Sequence, residues 1–294
     1  MSFNVTTHFV QQYTTNVQLL LQQKGSKLRD AVTVGSYTGK AAKAIEQVGA
    51  VNAVKRTIRH GDTPLISTPA DARWVFPNDY EWADLIDDQD KLRMLVDPQS
   101  SYALNGAYAL GRAMDDEIIS AFFGTAKTGE NGATNSIFDA TNQVVDEDVG
   151  STGATGLNIA KLREAKRILM ANEVDIDNDP LFVIITAQQH DNLLNEAQAI
   201  SLDYNTRPVL VDGKITAFMG FNFIHTERLP VDSDTYRRCP AFAKSGMHMG
   251  MWNDINTQIS DRADKGYATQ VYVKGTFGAT RTEEKKVVEI KCDE

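Results

Sequence analysis

Cysteine, positive charge and long apolar runs are all scarce in this chain. Two cysteines, Cys239 and Cys292, occur in 294 residues. One lies in a loop-like stretch and the other beside the C-terminus. They form neither a disulfide framework nor a CxxC zinc knuckle, and they fit a reducing cytosol. Acidic residues outnumber basic ones by 39 to 30, a net charge of −9. Such a chain is repelled by phosphates, which argues against a protein that grips nucleic acid. No apolar stretch approaches the roughly 20 residues of a membrane span. The opening MSFNVTTHFVQQY has neither the basic nor the apolar region of a signal peptide. The expectation is synthesis in the cytoplasm and no membrane partner.

The signatures of catalysis are missing too. There is no G-K-[ST], no HExxH and no G-x-S-x-G, and the five histidines are scattered. His190–Asp191 could be half of a triad, but no nucleophile can be tied to it, and it reads as part of a surface helix. GSTGATG (150–156) precedes a helix, yet the acidic VDEDV before it would repel phosphate, so it reads as a flexible linker. In GMHMGMW (246–252), Met247, Met249 and Met251 would share one strand face, which predicts packing rather than a copper site. No cofactor, no metal and no catalytic residue is expected from these motifs.

What is present is an unusual order of parts. Residues 3–22 space Phe3, Phe9, Tyr13 and Leu20 as one face of a helix too small to fold alone. A short helical patch is predicted at Gly39–Gln47. AVNAVKRTIRH (50–60) then alternates with a strand period, with Lys55, Arg56 and Arg59 spread over both faces. After a loop, DARWVFP alternates again through Trp74 and Phe76. The two segments predict a long hairpin with no clean apolar face, better suited to lie on another surface than to join a core. DPQSSYALNGAYALGRAMDDEIISAFFG (97–124) predicts a spine helix, with Asp97 as N-cap, Pro98 in the first turn and an apolar face through Leu104, Ala107, Leu110, Met114, Ile118 and Phe122. A helix at 157–172, a buried strand at 180–186, another helix from 187 and strands from 213 onward complete an α+β pattern.

Between hairpin and spine lies EWADLIDDQDKLRMLVD (81–97), with Asp84, Asp87, Asp88 and Asp90 close together. A magnesium or calcium site needs carboxylates converging on one point, and this spacing is not that of an EF-hand. Three readings stay open: a solvated face, a surface complementary to a basic partner, and the metal site of a hydrolase.

The order of arm, long hairpin, spine helix, αβ segment and closing strands resembles the major capsid proteins of tailed bacteriophages over essentially the whole chain. GKITAFMGFNFIHTERLP (213–230) is similar to that family's strand–Gly–strand passage, and YVKGTFGATRTEEKKVVEIKC to its closing β segment. The resemblance implies an N-terminal arm (1–30), an extended hairpin loop (45–82), a peripheral domain with the spine helix (83–156), an axial domain (157–240) and C-terminal strands (241–294) partly returning to the peripheral domain. It implies pentamers and hexamers of identical subunits on an icosahedral virion shell, assembled in the host bacterial cytoplasm around double-stranded DNA that is contacted weakly and without specificity. Because the arm begins almost at once, a separate scaffolding protein is expected, with a portal and a decoration protein as further partners. An encapsulin-type shell is the alternative within the same fold. The acidic strip Asp84, Asp87, Asp88 and Asp90 is expected to receive Lys55, Arg56 and Arg59 of a neighbour, while Phe3, Phe9, Tyr13, Trp74 and Phe76 supply apolar burial.

Overall fold

A computed structural model describes residues 22–59, 62–63, 65–86, 99–196, 210–211 and 214–294. In chain order the elements begin with β1 (Thr33–Ser36), β2 (Ala42–Val48), β3 (Ala70–Val75), β4 (Asn78–Ile86) and the long helix α1 (Gln99–Phe123). Three short strands follow, β5 (Ala126–Thr128), β6 (Thr134–Ser136) and β7 (Val144–Val145), then α2 (Ile159–Ala171), β8 (Leu181–Ile185) and α3 (Ala187–Leu194). The chain closes with β9 (Leu210–Val211), β10 (Lys214–Ile215), β11 (Ala217–Phe218), β12 (Phe221–His225), β13 (Arg237–Ala243), β14 (Met247–Arg262), β15 (Ala268–Arg281) and β16 (Val287–Cys292). This mixed helix and sheet content agrees with the α+β expectation.

The chain divides into two compact units. The first comprises Met1–Ser26, Asp79–Ala113 and Asn253–Gly275. Here β4 pairs at the edge of β15, and its alternation turns Tyr80, Trp82, Asp84 and Ile86 inward while Asp79, Glu81, Ala83 and Leu85 face out. Gly106 and Gly111 let neighbours approach α1 closely. A Cβ at Gly106 would sit 2.6 Å from Val273, and one at Gly111 would sit 2.6 Å from the backbone of Gly25. Arg112 fixes the same crossing by donating to Gln22 Oε1 (2.8 Å) and Gln23 O (3.2 Å).

The second unit comprises Lys27–Asn78, Met114–Trp252 and Thr276–Glu294. Its centre is a six-stranded sheet in the order β11-β12-β8-β13-β16-β7. β8 is the buried strand, with Leu181, Val183, Ile184 and Ile185 all at most 2% exposed. It lies parallel to β12 and antiparallel to β13. The β11–β12 turn uses Met219 at φ 54° and Gly220 at φ 87°, the left-handed pair of a tight hairpin. Each of α2 and α3 has a side-chain N-cap: Asn158 accepts from Lys161 N, and Thr186 from Gln189 N. Met247, Met249 and Met251 are buried on β14, as their spacing predicts.

Several expectations need correction. The patch Gly39–Gln47 is not helical; most of it is β2, because pairing with β3 overrides the helix preference of Ala, Lys and Glu. Residues 50–59 hold no strand despite their alternation. Leu104 is half exposed and Ala107 half-buried, and of the expected face Leu110, Met114, Ile118 and Phe122 are buried. The loop 150–156 is tied down rather than free, since Thr155 N donates to Glu147 O and Asp293 N donates to Thr155 O. Cys239 lies inside β13, not in a loop. The predicted helix at 3–22 falls mostly outside the described residues, as do Asp97 and Pro98.

Candidate subunit interface

The hairpin legs are β2 and β3, joined in antiparallel register from Ala42↔Val75 to Val48↔Ala70 with an irregularity between Lys43 and Ile45. Gly49 N donates to Pro69 O (2.7 Å), which closes the ladder. Beyond that rung, the described backbone up to Pro69 forms neither strand nor helix. It carries apolar side chains into solvent: Val54 is 61% exposed, Ile58 68% and Leu65 100%, with Val51 and Ile66 also exposed. Apolar groups clustered on one projecting segment are the mark of a surface that another molecule covers.

The base of the hairpin is built quite differently. Val75 and Ala72 are buried. β3 pairs onward with β5, and β5 with β6. Trp74 lies against this sheet, donating from Nε1 to Gly129 O (2.7 Å), while Lys43 Nζ stands 5.7 Å from its ring. Asp71 accepts from Thr128 Oγ1, Ala72 N and Gly129 N, and these bonds, Thr128 first, hold its carboxyl below the usual range. Gln47 Nε2 donates to Thr282 O (2.5 Å). Phe76 stays exposed at the end of the leg.

Beneath the hairpin lies a buried charge cluster. Arg73 Nη2 meets Glu284 Oε2 at 2.6 Å. Arg281, 0% exposed, reaches the same carboxylate at 3.4 Å. Ser136 Oγ donates to Glu284 Oε1 (2.7 Å). Arg281 Nη1 also donates to Phe122 O (2.7 Å) and Gly124 O (3.0 Å), satisfying the last carbonyls of α1 with a cation where the helix dipole is negative. One carboxylate therefore serves two guanidiniums, and Arg73 Nε, Arg73 Nη1 and Arg281 Nε are buried without a partner among the described residues.

Lys55, Arg56 and Arg59 sit on the exposed segment. Arg56 Nε donates to Ile58 O (3.1 Å), and among the described residues none of the three forms an ion pair. Of the acidic strip, Asp84 lies on β4, where its carboxylate accepts from Leu85 N (2.8 Å). Asp87, Asp88 and Asp90, and Phe3, Phe9 and Tyr13 of the arm, lie outside the described residues.

Three further groups went unseen in the sequence. Asp115, 0% exposed on α1, accepts from Lys27 N (3.0 Å) and Leu28 N (3.1 Å) and so anchors the chain at Lys27–Leu28. A carboxylate next to Met114 on the apolar face of α1 was the available signal. Arg281 shares the period-2 phase of Val271, Val273 and Phe277, a charge on a core face. His248 is the third. Thr33 Oγ1 donates to Met247 O (2.6 Å), so it accepts from His248 Nδ1 (3.0 Å), leaving Nε2 to accept from Tyr37 O–H (2.8 Å). Burial holds His248 below its ordinary pKa and pushes Tyr37 above its own.

Among the described residues, no three His, Cys, Asp or Glu side chains come together as metal ligands. His190 Nε2 accepts from Ile215 N (3.2 Å).

Comparison with known proteins agrees with this picture. A family model described as phage capsid protein matches residues 5–294. The fold is similar to the capsid structure of cyanophage P-SCSP1u, at 16% identity over 100% of this chain and 95% of that one, TM-score 0.73. It is also similar to the capsid of cyanophage Pam1 (11% identity, 99% and 98% coverage, TM-score 0.71) and to a structure from Mycobacterium phage Che8 (13%, 98% and 98%, 0.67). At these identities the likeness is one of fold. No curated protein sequence matches.

Proposed function

From the premise that the chain belongs to the phage capsid protein family and is a subunit of a capsid shell, we propose that its extended hairpin joins it to a neighbouring copy. The observation that carries this reading is the contrast within the hairpin. Its base is hydrogen-bonded and partly buried, while Val54, Ile58 and Leu65 beyond it face solvent. A second copy covering them gains apolar burial at about 25 cal/mol per Å². Trp74 and Phe76, at the root, and Phe3, Phe9 and Tyr13 of the arm are the further apolar contributors.

Lys55, Arg56 and Arg59 would meet Asp84, Asp87, Asp88 and Asp90 of the neighbour. Exposed ion pairs add little strength, but they set register and exclude wrong partners. The reading extends to pentamers and hexamers on an icosahedral head of a tailed phage, formed in the host cytoplasm. The protein acts as a container without catalysis, and its net charge of −9 leaves the packaged DNA loosely held. A scaffolding protein, a portal and a decoration protein are its further partners. The peripheral (83–156) and axial (157–240) division belongs to the same proposal.

The test is charge reversal. Arg56→Glu with Arg59→Glu should leave the soluble chain folded by circular dichroism and reduce particle yield in sedimentation and negative-stain microscopy by about tenfold. Normal particle yield from that variant would refute the pairing.

A further inference from the structure

The two cysteines, far apart in sequence, meet in the fold. Cys239 lies on β13 and Cys292 ends β16. The antiparallel register sets Cys239 opposite Ile290 and Cys292 opposite Arg237, so the two are diagonal neighbours on one face of the sheet. Both are 0% exposed. The neighbouring Cys292 thiol, and then burial, push the Cys239 thiol well above its ordinary range. Lys161 of α2, also 0% exposed, sends Nζ to Thr155 O (2.5 Å) and Lys291 O (2.8 Å), and its charge bears first on Cys292 and then on Cys239. Cys239 keeps its proton, and the nearest buried cation to the pair is Lys161.

We propose that Cys239 and Cys292 form a site of covalent closure, in which hydrogen peroxide converts the dithiol to a disulfide that staples β16 to β13. Peroxide is small and uncharged, so it can enter a core that excludes larger oxidants. Cys292 sulfur attacks one peroxide oxygen, the O–O bond breaks, and the thiol proton leaves in the first water, giving a sulfenic acid. Cys239 sulfur then attacks the Cys292 sulfur and the S–O bond breaks. The departing hydroxide takes the Cys239 proton as the second water. Two thiols lose two electrons and two protons, and one peroxide becomes two waters.

Diagonal partners start farther apart than the roughly 4 Å between the Cβ atoms of a disulfide, so Cys292 must move toward β13 by about 1–3 Å. It is the last residue of its strand, and strand ends yield more readily than centres. The gain is a closed loop spanning β14 and β15, which restricts the unfolded chain. Neither thiol is part of the hairpin surface, so this site is independent of the assembly reading.

The test uses the purified full-length chain. It is oxidised natively with hydrogen peroxide, quenched with catalase, denatured in N-ethylmaleimide and analysed by mass spectrometry. Before oxidation both cysteines should alkylate. Afterwards alkylation should fall about tenfold at both, the monomer should weigh about 2 Da less than the reduced, unalkylated chain, and trypsin should release residues 239–244 linked to residues 292–294, reversibly with dithiothreitol. In Cys239→Ser, dimedone should trap a sulfenic acid on Cys292. Should that variant fail to fold, the wild-type result decides alone. Two alkylatable thiols after native oxidation would overturn the proposal. So would a sulfinic acid on Cys292, a bond from either cysteine to Lys161, or a link between two chains.

Discussion

Glu284→Gln is the sharpest probe of how the hairpin is held. Among the described residues, Glu284 is the only carboxylate bonded to both Arg73 (2.6 Å) and Arg281 (3.4 Å), with side-chain exposures of 21%, 7% and 0%. The glutamine keeps the shape and removes the charge, leaving two buried guanidiniums facing each other. Breaking a fully buried pair costs about 3–5 kcal/mol. Glu284 retains some water, so the expected loss is about 3 kcal/mol, which for a chain of this size lowers Tm by about 8 °C. Urea unfolding of the soluble, unassembled chain measures it. Arg73→Met and the double variant complete a cycle, with an expected coupling of about 2 kcal/mol. Hydrogen exchange should quicken at Arg73–Val75, because these residues lose the anchor of their strand. A loss under about 1 kcal/mol, additive with Arg73→Met, would refute the claim that this carboxylate holds the hairpin base.

Two further outcomes follow from buried groups. His248 is neutral in the fold and its pKa is depressed by burial. The unfolded chain therefore binds more protons below about pH 6.5. The stability it contributes is present above that pH and is lost as pH falls toward the folded-state value. Subtracting the unfolding profile of His248→Gln from that of the wild type should isolate this slope, and a flat difference from pH 7.5 to 5 would contradict it. Asp115→Ala strands the buried N–H of Leu28 and that of Lys27, at about 1–3 kcal/mol each. Urea unfolding should report about 4 kcal/mol in total, and Asp115→Asn, which keeps one acceptor, about half of that.

Parts of this molecule could be read directly from its residues. The methionines of GMHMGMW alternate onto one buried face because strand period and core packing agree there. The turn at Met219–Gly220 follows from a glycine between two short apolar runs. The hairpin was legible as an element but its legs were not. Ala42–Val48 carries good helix formers and is held as a strand only by its partner β3. Residues 50–59 alternate like a strand but find no partner within the described chain, so local pattern alone misassigns them. Cys239 is followed by Pro240, which reads as a loop. In the sheet, β13 meets β8 only from Ala241, so the missing N–H of Pro240 costs no rung on that side. The charge cluster of Arg73, Arg281 and Glu284 joins residues about two hundred positions apart, and no spacing in the sequence announces it.

The central claim is that the hairpin segment beyond Gly49 is completed by a second copy of the chain. Hydrogen–deuterium exchange on soluble subunits and on purified particles measures this directly. The account predicts that amides of residues 50–59 and 65–68 exchange freely in the subunit and are protected at least tenfold in the particle. Equal exchange in both states would contradict it.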